Sequence, residues 1–384
     1  MPHAPSHVLN RRHTALRQTL AARGLDALIV TSLPNVLYLT NVDASAAIVV
    51  IGAEHFRFVT DFRYAAAVEA TRGTASECVG VELVRVDTSY DETLASVLAT
   101  LPRGHVGFEA EHLTVARHQW LESKLQNQGT DAASLVATAG IIEALRLRKD
   151  PYEIDTLREA ARRLSAVARG VLSEGEVRRG RTEREIALAI DWRIRGAGFE
   201  RSAFDTIVAS GPNAALPHAR PGKRTLTESD LVVLDFGGVY DSYCVDLTRT
   251  VSLGTAGPRA RAIYAAVREA HDRAIEAVAP GRSRFDIDAA ARDTLGRHGL
   301  AEAFGHGTGH GLGIEVHEQP RISRRRGDDA GPGDDDAVAA GMVFTIEPGA
   351  YLPGWGGVRI EDDVLVTDTG VEVLTDVATE LIEL

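Results

Sequence analysis

Four carboxylates lie on what residue alternation marks as two β-hairpins, Asp235 and Asp246 in LDFGGVYDSYCVD and Glu347 and Glu361 in FTIEPGAYLPGWGGVRIE. Acids on facing strands repel one another, and burying them without a partner is costly. A fold that sets up this arrangement twice implies something positive between the strands. Between the hairpins, a glycine-rich loop, His306-Gly-Thr-Gly-His310-Gly-Leu-Gly313, adds His310 to the set. Together these residues point to a two-metal hydrolytic site.

In the first hairpin, Leu231-Val-Val-Leu-Asp235 rises into Gly237-Gly238 and returns as Tyr243 to Thr250. A turn centred on Tyr240-Asp241 places Asp235 directly opposite Asp246, with Cβ atoms about 4.5–5.5 Å apart. Metals of a hydrolytic pair sit about 3.5–4 Å apart, a separation that two such aspartates span. In the second, Met342 to Glu347 leads through Pro348-Gly349 and a glycine-rich connection, Gly354 to Gly357, into a return strand Val358-Arg-Ile-Glu361. Alternation puts Arg359 on the face of Glu361, where it orients that acid, and an apolar run precedes Glu347. Asp362 and Asp363 are expected to be solvated.

One histidine with four carboxylates is a hard, oxygen-rich set, which favours manganese, or magnesium, over a structural zinc site. Four negative charges balance two divalent ions, with a bridging water that ionises near neutral pH to become the nucleophile. His306 and His310 are spaced i, i+4, but the glycines at 305, 307, 309, 311 and 313 argue against a helical zinc motif. The register also fails the dinucleotide fingerprint, and no GxSxG, Walker A or HExxH motif occurs. His218, His306, His310 and His317 fall in glycine, proline or strand-flank contexts where sites form. Cys244 reads as a small buried thiol. Arg324-Arg-Arg326 and the acidic run after it read as a solvated loop.

At 384 residues the chain exceeds what one core usually supports, which predicts two domains. Residues 1–145 alternate strand-like and helix-like segments and predict a mixed α/β domain: helices over Thr14 to Arg23 and Ala65 to Thr71, strands at 27–30, 46–51, 56–60, 81–86 and 105–108. The charged run Leu145 to Glu153, with Pro151 suited to a first helical turn, marks the boundary. Over 146–384, two helical stretches precede the first hairpin and two more precede the second. That order predicts an internally duplicated α+β domain.

The chain carries a net charge of −12 without a basic stripe, which disfavours a nucleic-acid surface. No run reaches the roughly 18 apolar residues of a membrane span. The polar segment Met1 to Arg12 lacks the apolar core of a signal peptide. Two isolated cysteines, Cys78 and Cys244, offer neither a disulfide framework nor a cysteine zinc site, and fit a cytoplasmic location.

Asp235 and Asp246 in LDFGGVYDSYCVDLTRT, His310 in GHGTGHGLGIEVHE, Glu347 in FTIEPGAY and Glu361 in GGVRIEDD resemble the five metal ligands of the pita-bread metallopeptidases. Within that fold the chain resembles the Xaa-Pro peptidases, aminopeptidase P and prolidase. VTSLPNVLYLTN and VTDFRY are similar to parts of their smaller non-catalytic domain, so the resemblance covers nearly the whole chain. It implies hydrolysis of the Xaa-Pro bond of dipeptides or short peptides by a hydroxide held on two divalent ions, manganese first, with cobalt or zinc as alternatives. It also implies a homodimer. By the same resemblance, Asp235 binds one ion, His310 the other, Asp246 and Glu361 bridge, and Glu347 binds and shuttles the proton. His317 stabilises the tetrahedral oxygen, and His218 and His306 line the proline pocket. Relatives often carry an aromatic residue after the His218 position, whereas Ala219-Arg220-Pro221 follows here. Methionine aminopeptidase shares the fold but usually lacks an N-terminal domain of this size. Creatinase-like amidinohydrolases, or a non-catalytic binding module, would lack the ligands that are intact here.

Overall fold

The computed structural model describes residues 3–127, 134–325 and 336–384. The chain divides into two compact units, Met1–Arg146 and Leu147–Leu384. The first is a mixed sheet, its strands in the order Glu82–Arg85, Phe56–Thr60, Ile48–Gly52, Ala27–Val30, His105–Glu109, Ser134–Thr138 among the described residues. The hairpin around residues 52–55 forms as expected, with Ile51 opposite Phe56. Helices Tyr90–Ala99 and Val115–Gln126, and the apolar residues they bury, such as Leu94, Leu98 and Leu121, pack against Ile29, Val50 and Val106. The sequence reading missed both helices, as well as Leu33–Thr40. Each is short, and short helices are set more by tertiary packing than by propensity.

In the second unit, two helices and a β-ladder occur twice. Helix Pro151–Ser173 opens on a capping box in which Asp150 and Glu153 satisfy each other's backbone N–H groups, with Pro151 in the first turn. Glu183–Gly196 opens on a second box made by Thr182 and Glu185. The hairpin Leu231–Tyr240 and Tyr243–Ser252 follows, then helices Pro258–Glu276 and Arg284–Arg297, then a second ladder. Val232, Leu234, Phe236, Val245 and Leu247 face the first helix pair, and Phe344, Ile346, Val358, Ile360 and Val364 face the second. Because side chains alternate, Asp235 and Asp246, like Glu347 and Glu361, point away from the helices. The two ladders meet where Thr248 bridges Glu361.

The first hairpin corrects one expectation. Its turn lies at Asp241-Ser242, both at positive φ (47° and 69°), so Asp235 pairs with Thr248 and Asp246 pairs with Gly237. A two-residue turn of this kind needs left-handed backbone at both central positions, which Asp241 tolerates better than the bulky Tyr240. The register therefore moves by two residues, and an even shift keeps every side chain on its face. The two aspartates become diagonal neighbours rather than opposites.

The second ladder also differs from its expected form. Val343–Ile346 pairs with Asp362–Val366, and beyond Pro348 the strand Gly349–Leu352 pairs with Gly356–Arg359. Gly356 and Gly357 thus belong to a strand rather than to the connection. Gly309–Gly311, expected as loop, is a short strand between Glu318–Ile322 and Val343–Ile346. A Cβ on Gly309 would overlap the Thr345 carbonyl and one on Gly311 the Gln319 carbonyl, so glycine is what lets His310 sit this close to its neighbours.

Candidate active site

Asp235, Asp246, His310, Glu347 and Glu361 line one cavity of about 790 Å³, and so do His218, His306, His317 and Arg359. Ligand atoms of Asp246, His310 and Glu361 all lie within 4.8 Å of one another, and all three residues are buried. Asp235 and Glu347 line the same cavity outside that trio. The Asp235 carboxylate is held by Arg359 Nη2 through one oxygen, while its other oxygen, Oδ1, is buried with no hydrogen-bond partner. Glu361 repeats the pattern: Oε2 accepts from Thr248 Oγ1 at 2.5 Å and Oε1 has no partner. Glu347 Oε1 lies 3.5 Å from His310 Nε2 and accepts from Thr345 Oγ1 at 3.3 Å.

The four carboxylates thus have one directly paired guanidinium, that of Arg359 on Asp235. Two full charges 4.8 Å apart repel by about 3 kcal/mol even at an effective dielectric of about 20, so this group is not stable as four anions alone. Burial, followed by the neighbouring acids, pushes the Asp246 and Glu361 carboxyls well above the usual range. Burial raises Glu347 to about 7, against the pull of Arg359. Burial and the nearby His317 lower His310 to about 3, so its imidazole is neutral and able to ligate. Unpartnered buried oxygens, repelling acids and a neutral histidine are the donor set that divalent ions satisfy. The residues present fit such ions.

The ligand-bearing strands are held by a dense set of polar contacts. Arg359, only 3% exposed, donates from Nε to Thr248 Oγ1 (3.1 Å) and from Nη1 to Tyr351 Oη (2.8 Å) and the Pro217 carbonyl (3.4 Å), besides its ion pair with Asp235. Its backbone N–H donates to Thr250 Oγ1, which donates back to the Arg359 carbonyl. His306 Nε2 and Tyr351 Oη are 2.8 Å apart, and His317 stands edge-on to His310 with ring centroids 4.4 Å apart. Burial lowers His306 to about 4.

Asp362 and Asp363 are not solvated; both are buried. Asp362 accepts from Arg249 at 2.8 Å and from Thr375 at 2.5 Å, and its other oxygen lies 3.1 Å from His271 Nε2. Asp363 Oδ2 accepts the backbone N–H of Asp246 at 2.9 Å. The expectation failed because consecutive acids on one strand point to opposite faces, and here both faces are covered. Cys244 is a buried thiol, pushed up to about 12 by burial, as expected. Arg324 and Arg325 are exposed, as expected, and Arg324 also lines the cavity. Residues 326–335 of that arginine-rich and acidic stretch lie outside the described residues.

Residues 155–368 match the model of metallopeptidase family M24, and residues 12–148 match that of the creatinase/prolidase N-terminal domain. The chain belongs to metallopeptidase family M24. This M24 metallopeptidase is 29% identical to the Xaa-Pro dipeptidase of Pyrococcus horikoshii over 98% of this chain and 99% of that protein. Among solved structures, the Xaa-Pro dipeptidase from Bacillus anthracis matches it with a TM-score of 0.87 at 35% identity, covering 98% of this chain and 100% of that one. The X-Pro aminopeptidase from Thermotoga maritima matches with a TM-score of 0.85 at 29% identity, over 97% and 99% of the two chains. The second unit is therefore the family's pita-bread fold, and the chain is an enzyme that uses divalent metal ions. Among the described residues, no helix is long and apolar enough to cross a membrane.

Four contributors to this M24 site escaped the sequence reading: Thr248, Tyr351, Asp363 and the Arg249–Asp362–His271 group. Thr248 carried a usable signal, since it sits two residues beyond Asp246 on the same face. Asp363 and the Arg249–Asp362–His271 group are joined by contacts about a hundred residues apart, and Tyr351 by its hydroxyl, which meets His306 and Arg359 only in the folded chain.

Proposed function

We infer that this enzyme hydrolyses the bond between an N-terminal residue and a following proline, acting on dipeptides or short peptides. The observation that carries the reading is the convergence of Asp235, Asp246, His310, Glu347 and Glu361 on one cavity whose wall also holds His218, His306 and His317. The Xaa-Pro names of the relatives support the substrate class. Asp235 would hold one ion and His310 the other, with Asp246 and Glu361 available to both and Glu347 completing the set. When bound, the ions supply Lewis acidity and let water ionise near neutral pH. The oxygen-rich donors favour manganese, with cobalt or zinc as alternatives.

The chain's own residues do the rest. Glu347 takes the proton of the attacking water and delivers it to the proline nitrogen as the C–N bond breaks. His317 donates to the oxygen of the tetrahedral species, a contact of a kind worth about 3–4 kcal/mol. Arg359 keeps Asp235 in place, and His218 and His306 flank the proline ring. The guanidinium groups of Arg220, Arg321 and Arg324 line the same cavity and have no carboxylate partner among the described residues. They complement the C-terminal carboxylate of a dipeptide, which favours a dipeptidase over an aminopeptidase acting on longer chains. All of these residues lie in 146–384, and we assign residues 1–145 no catalytic group. A cytoplasmic homodimer completes the reading, with sedimentation as the check on assembly. The deciding test is turnover of Ala-Pro against Ala-Pro-Ala with Mn²⁺ present. Cleavage of Ala-Pro alone supports the dipeptidase, a preference for Ala-Pro-Ala the aminopeptidase, and cleavage of neither refutes both.

A further inference from the structure

The two histidines that flank the cavity, His218 and His306, sit on irregular segments, one in each half of the catalytic unit. Each segment is anchored by one buried carboxylate on the second helix of its half. On helix Glu183–Gly196, Glu183 is fully buried, and its Oε1 accepts both the backbone N–H and the hydroxyl of Ser210, each at 2.8 Å. Glu183 also accepts from Asn213 Nδ2 at 3.0 and 3.2 Å and, through Oε2, from the backbone N–H of Gly222 at 3.1 Å. On helix Arg284–Arg297, Asp288 is 1% exposed, and its Oδ1 accepts both the backbone N–H of Thr308, at 3.1 Å, and its hydroxyl, at 2.8 Å. Arg292 pairs with Asp288 and donates to the Phe304 and His306 carbonyls.

The same chemistry thus appears twice: one carboxylate oxygen takes the N–H and the hydroxyl of a single Ser or Thr. In the first half the carboxylate joins both ends of the segment from Ser210 to Gly222. Between those ends lie Pro217, His218, Ala219, Arg220 and Pro221, all of which line the cavity. A buried carboxylate surrounded by four donors costs much to disturb, because a donor that loses it gives up a hydrogen bond out of reach of bulk water. Neither Glu183 nor Asp288 lines the cavity, so neither touches substrate there.

We propose that Glu183 and Asp288 are a matched pair of positioning residues, each fixing the segment that presents one wall histidine, His218 or His306, to the substrate. The proposal rests on the Xaa-Pro reading for its kinetic consequence and not for its structural one. Glu183→Gln keeps the shape of the side chain but turns an NH₂ toward N–H donors. With Mn²⁺-loaded protein, Glu183→Gln raises KM for Ala-Pro about tenfold with kcat within about twofold, the pattern of lost binding rather than lost chemistry. Mn²⁺ affinity by titration calorimetry stays at the wild-type value. Hydrogen–deuterium exchange rises over residues 208–224 and not over 304–312. Asp288→Asn gives the converse exchange pattern. Asn213→Ala, which removes one donor and spares the carboxylate, serves where Glu183→Gln does not fold, and gives the same pattern at smaller amplitude.

Unchanged exchange over 208–224 in Glu183→Gln, or exchange that rises equally in both segments, overturns the proposal. So does a loss of kcat together with Mn²⁺ affinity, which would make Glu183 a support of the metal ligands. If the wild type does not cleave Ala-Pro, the Xaa-Pro reading fails, and the exchange data alone then decide whether the two segments are held separately.

Discussion

Replacing Arg359 by lysine keeps one positive charge beside Asp235 but removes the fork that reaches four acceptors at once. If the ammonium stays on Asp235, the contacts to Thr248 Oγ1 and Tyr351 Oη are lost. At about 1 kcal/mol per hydrogen bond, with more for acceptors left buried, the cost is about 2–4 kcal/mol. For a unit of this size that lowers Tm by about 5–15 °C, read by calorimetry on metal-free protein. Because Thr248 also donates to Glu361, both Asp235 and Glu361 lose their support, and Mn²⁺ affinity falls by about 10–100-fold. The reasoning is refuted by an Arg359→Lys protein whose Tm and Mn²⁺ affinity both match the wild type.

Glu347→Gln lowers kcat for Ala-Pro by about 10²–10⁴-fold with an unchanged circular dichroism spectrum, and undiminished turnover removes Glu347 from proton transfer. Gly309→Ala forces a methyl onto the Thr345 carbonyl, at a cost of about 1–3 kcal/mol, and weakens Mn²⁺ binding through the displaced His310; wild-type values of both, by calorimetry, would show that the two strands separate freely. In the first unit, burial lowers His13 from 6.5 to about 4, with Nε2 2.6 Å from the Leu39 carbonyl. The unfolded chain then takes up a proton that the folded one refuses. The stability this gives is complete above pH 6.5, and about 3 kcal/mol of it is lost as pH falls toward 4. His13→Gln flattens that slope, measured as exchange of the Ser6–Ala22 helix against pH, and an equally steep slope in the variant assigns it elsewhere.

Much of the site was legible in the sequence because its residues sit on strands with strict alternation. Asp235 and Asp246 kept their shared face although their register moved by two, since an even shift changes partners and not sides. Glu361 and Arg359 were read from the same alternation, and Glu347 from the apolar run directly before it. The failures share one cause. Asp362 and Asp363 look solvated beside one another in sequence, yet Arg249, His271 and Asp246 reach them from segments about a hundred residues away. Glu183 reads as an ordinary acidic first-turn residue, and only the return of the chain from Ser210 to Gly222 makes it an anchor. In the first unit, the missed helix Val115–Gln126 packs on a sheet whose order no local pattern reveals, and Leu33–Thr40 is held by Arg12 and His13 of the helix Ser6–Ala22.

The central claim is that two divalent ions on Asp235, Asp246, His310, Glu347 and Glu361 make this M24 chain a peptidase. Stepwise addition of Mn²⁺ to metal-depleted protein, with Ala-Pro hydrolysis followed at each step, tests it most directly. The account predicts no turnover without metal and full turnover reached at two equivalents per chain. Hydrolysis by protein proven metal-free, or a rate that saturates at one equivalent, would contradict it.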